Sequence, residues 1–306
     1  MRRPTAGPVL ILAAATLWGT TGTAASFAPD DASALSIGAA TMGVGGLLTL
    51  ALAGRSAFGV LRGGPAVLRR ALFGALGVVV YPLAFYTAMA WAGVAVGTVV
   101  SLGCAPVFAA LLERVLDGTR LTRSWLAATG SAAFGCALLV LSGHGSAAGG
   151  GRVTGGVALG VLASAGYAAY AYSGARLIRC GHSSRAVMGA LFGLGATVLL
   201  PLFAVTGGAL LGEPRGLAVA AYLAVIPMWL AYVLFGTGLA RVRASAATTL
   251  SLFEPVVAAA LGVAVVGERL TGAAWAGVGL VVLGLLVLMA RRPGVRSPVG
   301  GIHQGR

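Results

Sequence analysis

"GTRLTRSWLAATGSAAFGCALLVL", residues 118–141, and "GERLTGAAWAGVGLVVLGLLVLMA", residues 267–290, align without a gap at an offset of 149 positions. Gly118, Arg120, Leu121 and Thr122 fall on Gly267, Arg269, Leu270 and Thr271, and Gly130 and Gly135 fall on Gly279 and Gly284. The same offset puts Pro106 on Pro255. Upstream of the prolines the best offset becomes 150, with "TVVSL", residues 98–102, on "TTLSL", residues 248–252. Thr98, Ser101 and Leu102 then match Thr248, Ser251 and Leu252. The first copy carries one extra residue before its proline, which turns that proline by about 100° relative to the Thr/Ser stripe on a helix. Polar residues match as well as apolar ones, so a chance likeness of two Ala/Gly/Leu-rich segments is the weaker explanation.

The solvent of these segments follows from composition. Hydrophobic residues make up 58% of the chain and charged ones 9%, and mean hydropathy is +0.95. That balance belongs to a membrane protein. A span needs roughly 20 mostly apolar residues to cross a hydrocarbon core of about 30 Å. Ten such runs are expected, near 8–28, 34–53, 71–90, 94–116, 124–142, 155–175, 187–206, 216–239, 244–266 and 272–290. The connections between the second, third and fourth are short, so counts of nine or eleven stay open. Each span is expected to be helical, because a lipid-facing backbone must satisfy its own hydrogen bonds and nothing alternates like a barrel strand.

All 21 basic residues are arginines, and the net charge is +14. With the N-terminus in the cytoplasm, every arginine except Arg152, Arg215 and Arg269 lies on the cytoplasmic side. This asymmetry is what the positive-inside rule predicts for an even number of spans with both ends cytoplasmic. The charge therefore reads as orientation and attraction to anionic lipid, and nucleic acid is not an expected partner. "MRRPTAGPVLILAAATLWGT" has the basic and apolar regions of a signal peptide. An uncleaved first span is expected, since cleavage near Ala25 would leave nine spans and break the repeat.

Split at the "GHGSAAGGGRVT" linker, residues 143–154, each half holds five spans. Five is odd, so the second half enters the membrane from the opposite side: an inverted-topology repeat, the plan of many secondary transporters. The units are expected at 1–148 and 149–292, followed by a cytoplasmic tail, 293–306.

The pattern resembles the ten-helix EamA-type members of the drug/metabolite transporter superfamily. The likeness rests on "LWGTTGTAASFAP" in the first span, "AMAWAGVAVGTVVSLGCAPVF" across the third and fourth, and "LFEPVVAAALGVAVVGERLTGAAWAGVGLVVLG" across the ninth and tenth. It implies an all-α membrane protein of two inverted five-helix EamA repeats. It further implies a central cavity lined by helices one, three, four, six, eight and nine, and transport of small metabolites or drugs. Two charges often seen in similar sequences are absent. Thr119 stands where the Glu of G-E-R-L is common and Thr41 where an Arg is common, which puts a shared ion-coupling scheme in doubt.

Glu254 is the only ionisable group well inside an expected span; Glu113 and Arg114 lie near the end of the fourth, from where they can reach the interface. An intramembrane carboxylate faces a cavity or a partner. Pro255 cannot donate to the carbonyl of Ser251, so Ser251, Glu254 and the freed carbonyl are expected to form a local polar site. One reading has Glu254 line the cavity and titrate, or contact a cationic substrate group, with a proton as coupling ion. The other has it bonded to a neighbouring helix as a structural group.

Ser101, the repeat counterpart of Ser251, joins the candidate set. So do the aromatic residues on spans that the resemblance assigns to the cavity: Trp18, Tyr81, Tyr86, Tyr167, Tyr170, Trp229 and Tyr232. Their apolar bodies and polar tips suit an amphipathic solute. Gly156 with Gly160, and Gly189 with Gly193, have the spacing of close helix packing. Pro227 is expected to bend the eighth span.

No cofactor, metal or enzyme activity is expected. His144, His182 and His303 lie in loops or the tail, Asp30-Asp31 lacks the rest of a metal motif, and no P-loop is present. Cys104, Cys136 and Cys180 are too scattered for a disulfide framework. The expected function is secondary transport of a small metabolite, amino acid or drug across the inner (plasma) membrane by alternating access. Export is favoured by resemblance, and a lipid flippase or non-transporting membrane partner is the alternative.

Overall fold

The computed structural model of the chain describes residues 6–92, 94–119, 122–141, 150–266 and 271–290. Parts of the paired G-x-R-L-T stretches, most of the linker and the whole tail lie outside the described residues. Helices occupy nearly everything described, and among those residues there is no strand.

The first half runs through α1 (Ala6–Gly19), α2 (Thr21–Ala25), α3 (Ala34–Ala53), α4 (Arg55–Leu61), α5 (Pro65–Ala92), α6 (Val94–Gly103), α7 (Ala105–Asp117) and α8 (Arg123–Leu141). The second half holds α9 (Gly150–Arg179), α10 (Ser184–Thr206), α11 (Gly208–Gly212) and α12 (Pro214–Leu223). It continues with α13 (Ala231–Leu239), α14 (Ala244–Leu250), α15 (Glu254–Leu261) and α16 (Gly272–Ala290). A widened helical stretch, Ala224–Leu230 around Pro227, joins α12 to α13. Among the described residues, seven stretches are long and apolar enough to cross a membrane, against the ten expected: 6–25, 34–53, 65–92, 152–179, 184–206, 214–239 and 244–265.

Both prolines that align in the two halves sit in the first turn of a new helix, where the missing N–H is not needed. Pro106 opens α7 after a break at Cys104. Pro255 opens α15 after a tightened turn, Ser251–Phe253. The Ser251 carbonyl was expected to be left free by Pro255. Instead it accepts from the Glu254 N–H, three residues on rather than four. The chain meets its own backbone demand by switching to the tighter turn, so that carbonyl is not part of a polar site.

The two halves meet through equivalent positions. Ser33 caps α3 by accepting from the Ser36 N–H at 3.1 Å. Ser183, 150 positions later, caps α10 in the same way, from Ala186 at 3.2 Å. Where α3 crosses α10, a side chain at Gly43 would meet Leu200, and one at Gly193 would meet Leu50, the residue equivalent to Leu200.

α8 pairs with α16 by the same exchange. A Cβ on Gly135 would fall 2.6 Å from the Gly277 carbonyl oxygen, and one on Gly284 2.7 Å from that of Ala128, its equivalent. The Ser131 hydroxyl donates at 3.1 Å to the carbonyl of Leu280, its own counterpart. Chain order is reversed across the pair, so a local two-fold axis runs across these helices. The glycines let the backbones approach closely enough to make the contact. Gly156 and Gly160 likewise face Ala92 and Val100, and Gly189 and Gly193 face the backbone and side chains of α3.

Candidate functional site

At the crossing of α1, α2, α3, α5, α9, the widened stretch, α13 and α15 lies a cavity of about 50 Å3. Its walls are Trp18, Thr21, Thr41, Met42, Tyr81, Phe85, Tyr86, Tyr167, Tyr170, Pro227, Met228, Tyr232 and Glu254. A single water takes roughly 10–15 Å3 on this measure. The space therefore suits a few waters, and anything larger fits only with the helices further apart.

The aromatic side chains form one connected body that bridges the two halves. Trp18 lies 5.1 Å from Tyr232 and 5.3 Å from Phe235, and stands edge-on to Tyr167 at 6.4 Å between ring centres. Tyr167 and Tyr170, one turn apart on α9, stack at 5.0 Å, and Tyr81 reaches Tyr167 from α5 at 5.6 Å. Tyr232 continues the body onto Phe192 of α10 at 4.4 Å. Pairs of this kind contribute about 0.5–1.5 kcal/mol each beyond the area they bury.

The phenol groups are largely spoken for. Tyr170 and Tyr232 share a hydrogen bond at 2.7 Å between hydroxyls. Ser251 gives its proton to the Thr248 carbonyl at 2.9 Å, so the 2.6 Å contact between Tyr167 and Ser251 must use the Tyr167 proton. That bond ties α9 to the turn just before Glu254.

Glu254 stands half-buried at the head of α15, facing the cavity. The walls hold no arginine or histidine, and among the described residues no ion pair reaches it. α1 closes over this turn at Gly19, where a Cβ would come within 3.0 Å of the Glu254 carbonyl oxygen and 2.6 Å of the Val257 Cβ.

Of the residues expected to bind substrate, Trp18, Tyr81, Tyr86, Tyr167, Tyr170, Tyr232 and Glu254 come together on the walls. Ser251 stands one layer behind, holding Tyr167. Ser101 is buried against α9, where Ser164 donates to the carbonyls of Val100 and Ser101 at 2.8 and 2.7 Å. Trp229 is half-buried outside the walls, and its neighbours Pro227 and Met228 take the lining positions.

Among the described residues, the fourth expected span, α6 with α7, supplies no wall residue. The second, α3, supplies Thr41 and Met42. Residue-type reasoning missed Thr21, Met42, Phe85 and Met228. Phe85 alone carried a signal, being one helical turn beyond Tyr81, on which it stacks at 5.4 Å.

A second polar cluster closes the arginine-rich end of the bundle. Glu113 lies at the centre of this cluster. It is 1% exposed, and accepts from the Ser245 hydroxyl at 2.7 Å and the Ser245 N–H at 3.4 Å. One turn further, Asp117 accepts from the Tyr172 hydroxyl at 2.7 Å, with Arg176 Nε at 3.4 Å and Arg179 at 3.9 Å. The cluster joins α7, α9 and α14. At the opposite end the contacts are exposed: Tyr222 donates to Thr20 at 2.9 Å and Arg215 to the Phe27 carbonyl at 2.6 Å.

Helices broken around an internal cavity, in two halves related by a local two-fold axis, are the construction of membrane carriers. The chain belongs to the EamA-like transporter family, whose model matches residues 5–141 and again 154–290. It is therefore a multi-pass membrane protein built from two copies of one unit, and a transporter by family. It is 36% identical over 285 residues, covering 92% of this chain and 93% of the relative, to a Bacillus subtilis (strain 168) protein named "Uncharacterized transporter YwfM". A solved structure described only as "Crystal structure of protein" superposes with a TM-score of 0.74 over 97% of this chain and all of the other, at 20% identity. At that identity the likeness speaks for the fold alone.

Proposed function

We propose that the chain is a ten-span secondary carrier of the cytoplasmic membrane that moves a small metabolite, amino acid or drug by alternating access. The spans divide into two inverted five-helix units, 1–148 and 149–292, with the tail and both termini in the cytoplasm. The exchange of equivalent positions across α3–α10 and α8–α16 supports the inversion. The arginine asymmetry supports the orientation.

The observation that carries the proposal is the cavity itself. Both units supply its walls, and the Glu254 carboxylate stands on it at a helix break. The polar contacts are buried and charged at the arginine-rich end, and exposed beside an apolar cluster at the other, which supports the outer side as the one that parts more readily. Export remains the favoured direction, with a proton taken up at Glu254 as the coupling ion.

The test is flux in proteoliposomes across a metabolite panel, with and without an imposed proton gradient. Gradient-driven movement of one solute class, with the gradient dependence abolished in Glu254→Gln, is the expected result. A folded preparation that moves nothing overturns the carrier reading. Flux by Glu254→Gln with an unchanged pH profile removes the proton from it.

A further inference from the structure

The cavity's chemistry is one-sided, and this narrows its substrate. It presents one carboxylate and no basic side chain. Tyr170 and Tyr232 bond to each other, Tyr167 is committed to Ser251, and Thr41 gives its proton to the Ile37 carbonyl at 2.7 Å. What the walls leave for a solute is the Glu254 carboxyl, the hydroxyls of Thr21 and Tyr81, and the π faces of rings from four separate helices, with no positive charge among them. Such faces carry negative electrostatic potential and attract cations, most strongly where water is excluded.

We propose that this site takes an organic monocation with an apolar body, an inference that rests on the carrier reading above. The positive head group pairs with Glu254, and the body packs against Trp18, Tyr81 and Tyr232. An anion meets a carboxylate and has no counter-charge. A zwitterion satisfies Glu254 with its ammonium but brings a carboxylate that the walls leave unpaired, which is unfavourable in a low-dielectric site. A metal cation needs several oxygen ligands at fixed distances, and walls made mostly of rings do not supply them. An organic cation instead gains from both features together.

Calorimetric titration of the purified full chain in detergent separates these cases, using benzyltrimethylammonium, L-phenylalanine amide, L-phenylalanine and N-acetylphenylalanine. The two cations are expected to bind at least about tenfold more tightly than the zwitterion and the anion, the scale of one desolvated ion pair or cation–π contact. Glu254→Gln is expected to remove that preference and Glu254→Asp to keep part of it, with both variants checked for unchanged thermal unfolding.

Binding of L-phenylalanine or the anion as tight as that of the cations overturns the inference. So does cation binding that Glu254→Gln leaves intact, or no cation binding at all by a folded chain. The carrier reading is judged separately. Flux of a neutral or anionic solute in the proteoliposome panel keeps that reading while the substrate class falls.

Discussion

Ser245→Ala tests whether the polar cluster at the arginine-rich end is a gate or a fixed clamp. The substitution removes the 2.7 Å donor to Glu113 and leaves the carboxylate in a site where it is 1% exposed. The remaining partners are weak: the Ser245 N–H at 3.4 Å, and Arg179 at 4.0 Å, beyond hydrogen-bond range. A buried hydrogen bond to a charged group is worth about 1.5–3 kcal/mol. If α7 and α14 touch only when this end is closed, water replaces the serine in the open form and the whole loss falls on the closed form. The closed-to-open ratio then drops roughly 10- to 150-fold.

Ala109 is a suitable reporter for that shift. It lies one turn inward from Glu113 on the same face of α7 and is fully buried. With the native cysteines replaced by serine, Ala109→Cys is expected to react with a membrane-impermeant maleimide from the arginine-rich face. Its labelling should run at least about tenfold faster in the Ser245→Ala background, on the lower bound just derived. Ser245→Thr, which keeps the hydroxyl, should label at the parent rate. Unchanged labelling by Ser245→Ala, alongside a lower unfolding temperature, would refute the gate: the contact would then persist in every conformation.

Gly135→Ala and Gly284→Ala each force a Cβ to within 2.6 or 2.7 Å of a carbonyl on the partner helix. Each is expected to lower stability by about 1–3 kcal/mol, and the double variant by less than the sum, because the first substitution already parts the helices. Equilibrium unfolding in mixed micelles measures both, and a neutral effect at either glycine contradicts the local two-fold axis. Tyr170→Phe and Tyr232→Phe should each cost about 1–3 kcal/mol by orphaning the other's hydroxyl, whereas the double Phe variant should cost less than the two together. A double-variant cycle from thermal unfolding reads that coupling. Gly19→Ala should push α1 off the Glu254 turn and slow transport at unchanged expression; wild-type flux would show that this approach has no bearing on transport.

The extent of seven of the ten expected spans was legible, because apolar length is a property of composition alone. The α5 and α9 helices still run past their expected ends, to Pro65 and to Arg179, since charged residues can continue a helix into the interface without being apolar. The equivalence of Pro106 and Pro255 was legible from their alignment, whereas the breaks before them and the tightened turn at Ser251–Phe253 were not. The repeat was readable from its aligned residues, and the isolation of Glu254 from its being the one carboxylate deep in an expected span.

What each helix turns inward was not legible, because one residue along a helix rotates a side chain by about 100°. Tertiary packing therefore decided that Met228 and not Trp229 lines the cavity, and that Ser101 lies under α9. The same holds for Glu113, whose partner Ser245 stands 132 positions away and meets it only once α7 and α14 have packed. Local chemistry determined that this protein crosses a membrane, repeats itself and carries an acid at a helix break. Only the fold decided that rings from both halves close around that acid, because which side chains converge depends on how helices distant in sequence rotate against one another.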